Sequence, residues 1–169
     1  MKMQLKIRSR SRRGNAMVEF ALASLILIPI FVGTFQFGYT FYVYNLLCTQ
    51  MRAGARYASV RTFRCSNADS ITNFKANVKN MVRFGNPDGS GALIQPGLKA
   101  EQLDVQIKDR TGVVDADATH VPAYVIVSTS TATPYTVDAV FTTFTFSGKP
   151  VVRFPYIGEF APAETEPAP

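Results

Sequence analysis

Few side chains in this sequence have the type and spacing that covalent chemistry needs. His120 is the single histidine among 169 residues, so no second imidazole exists to build a ligand set and no nucleophile–base pair stands out. Beside Pro122 and ahead of a strand-like run, His120 reads as a surface or edge residue. Asp115-Ala116-Asp117 has the opening spacing of a calcium loop, but the glycine and the closing glutamate are missing, so a solvated acidic loop is the better reading. No Gly-rich phosphate loop is present. Cys48 and Cys65 are the only cysteines. If a helix runs unbroken from Cys48 to Arg61, it rises ~20 Å and four further residues return at most ~14 Å, which leaves a gap no disulfide spans. The expectation is a protein that is not an enzyme, with no catalytic, cofactor-binding or metal site.

What remains is one peptide bond and one carboxylate. Residues 12–31 read RRGNAMVEFALASLILIPIF, with Glu19 alone at the entrance of an apolar run, five residues after Gly14. A cut between Gly14 and Asn15 would create a chain starting NAMVEF, with a free α-amino group and a carboxylate in its first two helical turns. There Glu19 interacts favourably with the helix macrodipole, and in an assembly of such helices it can neutralise the α-amino group of a neighbouring subunit. An isolated carboxylate in hydrocarbon costs on the order of several kcal/mol, whereas a paired one need not. Glu19 would then penalise wrong register between stacked subunits. Equally, Glu19 can sit hydrated at the headgroup level and do nothing; the residue types alone leave both readings open.

The elements around these residues follow from charge and hydropathy. Lys2, Lys6, Arg8, Arg10, Arg12 and Arg13 precede every acidic residue, and the rest of the chain carries 12 Lys+Arg against 12 Asp+Glu. The basic pI is thus a property of the first 13 residues and not of a basic folded face, which weakens nucleic-acid binding. Phe20 to Met51 is 32 residues without a charged side chain; as a helix it would reach about 48 Å against a hydrocarbon core of ~30 Å. Phe20 to about Tyr44 is the expected span, with Tyr39, Phe41, Tyr42 and Tyr44 as an aromatic belt at its far end. Pro29 removes an N–H, leaves the Leu25 carbonyl without its helical partner and favours a kink. The leading positive charge favours a cytoplasmic N-terminus. A cleaved secretory signal fits poorly, because the apolar stretch is too long and no small-x-small site follows it.

Four zones result: a basic leader over residues 1–14, a transmembrane and assembly helix over 15–62, an α+β head over 63–160, and a proline-rich tail over 161–169 that reads as disordered. Gly54 and Ala58, four apart on one helical face, permit close helix–helix approach. In the head, start signals at Ser66 to Ser70 and Gly85 as a stop bracket a helix whose Ile71, Phe74, Val78, Met81 and Val82 share a face. Asn86 to Gly91 is a loop. Leu103, Val105 and Ile107 alternate with polar residues as a half-buried strand, and Tyr124–Thr131, Tyr135–Phe146 and Val151–Ile157 read as further strands of an antiparallel sheet. Asp138 to Val140 could instead begin a short helix.

The combination of basic leader, Gly14, Val18-Glu19-Phe20, Pro29 and Ala53-Gly54-Ala55-Arg56-Tyr57-Ala58 resembles TadE-like proteins, pseudopilins of the tight-adherence (Tad) pilus system within the type IV pilus superfamily. The resemblance covers about residues 12–60; Phe154 to Glu159 is also similar to the end of such domains. It implies a pilin-like fold, cleavage after Gly14 by a prepilin peptidase, and use as a minor pilin or pseudopilin that initiates or tips a filament. Gly14 and Asn15 become processing residues, and Glu19, Phe20, Pro29, Gly54 and Ala58 become assembly residues. The implied partners are the membrane, other pilin and pseudopilin subunits and the peptidase, with no nucleic acid and no small-molecule substrate. The implied location is the bacterial inner membrane, single-pass with the N-terminus cytoplasmic, and then the surface pilus. A head of about 100 residues favours a minor over a major subunit. The competing reading is an uncleaved, signal-anchored extracytoplasmic binding module; a basic-arm nucleic-acid binder rests on the leader alone.

Overall fold

The structure, a computed structural model, describes residues 12–64, 68–112, 121–139 and 142–161. Most of the basic leader, Cys65, Asp115, Asp117, His120 and the tail beyond Ala161 lie outside the described residues. The chain divides into two compact units, Met1–Tyr39 and Thr40–Pro169.

A single helix, α1, runs from Arg12 to Val60 over 49 residues and is unbroken through Pro29. Its stretch up to Tyr39 forms the described part of the first unit, and nearly all of its side chains are exposed.

The second unit is α+β. The remainder of α1 is followed by β1 (Phe63–Arg64), α2 (Ala68–Phe84), a 3-10 turn at Ala100–Gln102, β2 (Leu103–Lys108), β3 (Tyr124–Thr129), β4 (Tyr135–Asp138), β5 (Thr143–Phe146), β6 (Val151–Pro155) and β7 (Phe160–Ala161). Three strands form an antiparallel sheet in the order β2-β3-β6, and β4-β5 is a separate antiparallel hairpin inserted between β3 and β6. The alternation read in the sequence is the pleat itself: Leu103, Val105 and Ile107 are buried while Asp104, Gln106 and Lys108 are not. Pro155, which cannot donate to a ladder, stands as the last residue of the edge strand β6. Asp138 does not start a helix. It ends β4, and the Ala139 N–H donates to Thr142 O at 2.8 Å, so the chain turns back into β5. One pair departs from the expected antiparallel pattern: β7 lies parallel to β1.

The core is organised by the inward face of α1. Val43, Leu47, Met51, Ala55 and Ala58 recur at spacings of four and three, and each is at most 1% exposed. They cluster with Val78 and Val82 of α2, Val105, Val125 and Val127 of the sheet, and Tyr135 and Val137 of the hairpin. A second small cluster joins Phe63 and Ile107 to Ile71 and Phe74, with the Phe63 and Phe74 rings edge to face at 5.3 Å.

Gly54 is required here by space. A Cβ at this position would overlap Val82 Cγ2 and lie 3.4 Å from the Val78 carbonyl. The close helix approach that the small residues permit is therefore made with α2 of the same chain. Gln50, on the same face and 5% exposed, has neither amide atom hydrogen-bonded within the protein, an arrangement that costs on the order of 1–3 kcal/mol.

Two substitutions test this core by thermal unfolding of the full chain in detergent. Gly54→Val should destabilise it by about 1–3 kcal/mol through overpacking against Val82. Gln50→Met, close in shape and free of the amide, should raise the midpoint; a clear drop would mean that the amide is stabilising.

Candidate functional site

The predicted processing and assembly residues lie on α1. Gly14, Asn15, Glu19 and Phe20 are all exposed, and nothing approaches within 4 Å of where a Gly14 side chain would be. Asn15 and Glu19 are four apart and so share a face, with Cβ atoms ~5–6 Å from each other. Because α1 begins at Arg12, Glu19 stands past the first turn of the uncut helix. Loss of everything up to Gly14 would bring it into the second turn, one turn from a new α-amino group.

Beyond Glu19 the helix is apolar on every side. From Met17 to Phe37 twelve of the thirteen large apolar side chains are each at least 60% exposed, and Val32 is half-buried. Successive residues turn by ~100°, so they point in all directions and no rotation of the helix hides them. At ~1.5–3 kcal/mol per buried side chain their exposure to water would forfeit roughly 20–35 kcal/mol, more than a domain's whole stability of ~5–15 kcal/mol. Such a surface requires an apolar surrounding. The polar side chains in and after this run are accommodated accordingly: Thr34 Oγ1 donates to Ile30 O at 2.9 Å, Asn45 Nδ2 to Phe41 O at 3.0 Å and Thr49 Oγ1 to Asn45 O at 3.0 Å, each returning to the carbonyl four residues back. The described residues contain one helix long and apolar enough to cross a membrane, Gly14–Val60, and its most apolar window is not buried within the protein. This helix fits membrane anchoring.

Gly54 and Ala58 are separated from this group in environment. Both are fully buried in the second unit, where they shape its interior. Cys48 is partly buried and carries a free thiol.

Residues that the sequence reading passed over close the C-terminal end of α1. The Tyr156 hydroxyl accepts the Phe63 N–H at 2.9 Å and lies 2.7 Å from both Arg61 O and Glu159 O, to one of which its single proton is donated at a time. The Ile157 N–H donates to Ser59 O and the Phe63 N–H to Glu159 O, at 2.9 and 3.0 Å. Gly158 permits this approach, because a Cβ would overlap the Arg61 carbonyl. The only signal in the sequence was the Phe154 to Glu159 run itself. Tyr156→Phe should lower stability by about 1–3 kcal/mol by unpairing these backbone groups, measured as the shift in chemical denaturation midpoint; an unchanged midpoint would show that the clasp is not limiting.

No curated protein and no solved structure matches the chain. Residues 14–56 match the family model of the TadE-like protein, so the helix whose surface is described above carries a TadE-like domain, consistent with a component of a Tad pilus system.

Proposed function

We propose that the chain is a minor pilin or pseudopilin of a Tad-type pilus, a structural subunit without catalysis. In this reading a prepilin peptidase at the cytoplasmic face of the inner membrane cuts after Gly14, and the apolar helix then carries the subunit into a filament that it initiates or tips. One observation carries the reading: the match to a TadE-like domain takes in a helical stretch, Met17 to Phe37, whose large apolar side chains are, but for Val32, exposed on all sides. A helix of that kind is equally at home in lipid and among other apolar helices, which is what transfer from membrane to filament demands. The exposed Gly14–Asn15 bond supports the processing step, since no described residue packs against Gly14. Glu19 supports the register step. Its carboxylate is tolerable in an apolar bundle when paired with a neighbour's α-amino group and costly when misplaced.

Intact-mass and N-terminal measurement of the membrane-extracted protein should find a chain that begins at Asn15. A chain that retains the leader would overturn processing and favour an uncleaved anchor. Gly14→Leu should abolish the cut. Glu19→Ala should leave cleavage largely intact while reducing pilus number by tenfold or more, on the order of the few kcal/mol separating a paired from an unpaired charge; normal piliation in that variant would sink the register role.

A further inference from the structure

The outward face of the three-stranded sheet carries a cationic cleft that the pilus reading does not use. Register places Lys108, Tyr124 and Pro155 side by side across β2, β3 and β6, and Gln106, Ile126 and Arg153 in the next row. All lie on the face opposite the buried Ile107 and Val125. A cleft of about 490 Å³ opens there, lined by Arg110, Ala123, Tyr124, Arg153 and Pro155. Among the described residues its lining holds two guanidinium groups and no carboxylate.

The Arg153 guanidinium carbon lies 3.5 Å from the centroid of the Tyr124 ring. This stacking fixes the plane of the guanidinium and leaves the edge of its N–H fork for a ligand. Neither Arg110 nor Arg153 is ion-paired with a described residue, and the ion pair between Lys99 and Glu101 lies elsewhere. Among the described residues the nearby acids are hydrogen-bonded elsewhere or remote. Asp109 is buried and accepts from Thr111 Oγ1, and Asp104 accepts from Gln106 Nε2 at 2.7 Å. Strand spacing puts Asp104 one row along and two strands across from Arg153, roughly 12 Å away, beyond a Debye length of ~8–10 Å.

We infer that this cleft is an oxyanion site that takes a carboxylate or phosphate group from an external ligand, held by the Arg153 and Arg110 forks beside the Tyr124 ring. Fork geometry matches both anions, and with Lys108 alongside, three like charges gather on one face. An anion relieves their repulsion. The inference is independent of processing and of filament assembly.

The test is a titration of the full chain in zwitterionic detergent, at constant ionic strength, with inorganic phosphate in one arm and sodium glucuronate in the other. Arginine Nε–H resonances and the Tyr124 ring report binding by NMR. Saturable shifts of Arg110 and Arg153 in either arm support the site, and the arm with the tighter curve identifies the anion class. Arg153→Ala should weaken binding about tenfold, and Arg153→Lys should restore only part of the loss, because it keeps the charge without the fork. Arg110→Ala, at an exposed position, gives a second variant with little risk to folding. Shifts that do not saturate, or that survive both alanine substitutions, overturn the site. Binding seen only after Asp115→Asn and Asp117→Asn together would make the chain's own acidic loop the counterion and would overturn an external ligand.

Discussion

Burial of one stripe of α1 against the head holds the second unit together. Val43, Leu47, Met51, Ala55 and Ala58 are inaccessible to solvent because α2, the sheet and the hairpin all converge on them. Neither the sheet nor the hairpin could close a core alone. A three-stranded sheet with one apolar face needs a partner layer, and here that layer is the helix. Gly54 sets how near α2 can come, so the smallest residue on the stripe governs the tightest contact. The same helix is built on a different rule before Tyr39, where nearly all of its large apolar side chains are exposed and it has no polar face. One continuous helix thus meets two requirements: an amphipathic surface where it serves as a core wall, and a uniformly apolar one where it fits a membrane.

Periodicity made much of this legible before any coordinates. The charge-free run from Phe20, the amphipathic face of α2 and the strict alternation of β2 each depend on local patterns that survive into the structure. The small pair Gly54 and Ala58 announced a close helix approach, and such an approach exists. Its partner was not legible, because spacing describes one surface and says nothing of what meets it. Asp138 shows the opposite limit. Its local preference admitted a helix start, and pairing between β4 and β5 prevailed because the hairpin lets Tyr135 and Phe146 stack at 6.3 Å over the core.

The candidate site divides along the same line. Gly14, Asn15, Glu19 and Phe20 are readable as a linear motif because their proposed roles depend on sequence spacing along one helix. Tyr156 and Gly158 were not readable, since they matter only through carbonyls about a hundred positions earlier, and Arg110, Tyr124 and Arg153 converge only once the strands are in register. Lone polar residues of that sort acquire meaning from the fold and carry none before it.

The Tyr156 clasp also constrains the order in which the molecule can be made. Its hydroxyl and the Arg61 carbonyl are separated by 95 positions, and β6 and β7 come from the last stretch of described chain. Loop-closure entropy must be overcome across nearly the whole head before these contacts form. A nascent chain emerges with the inward stripe of α1 already synthesised and its final cover still to come. Until residue 161 is out, that stripe is an uncovered apolar surface, so the interval between synthesis of α1 and arrival of the C-terminal strands is the period in which this protein is most exposed to aggregation and proteolysis.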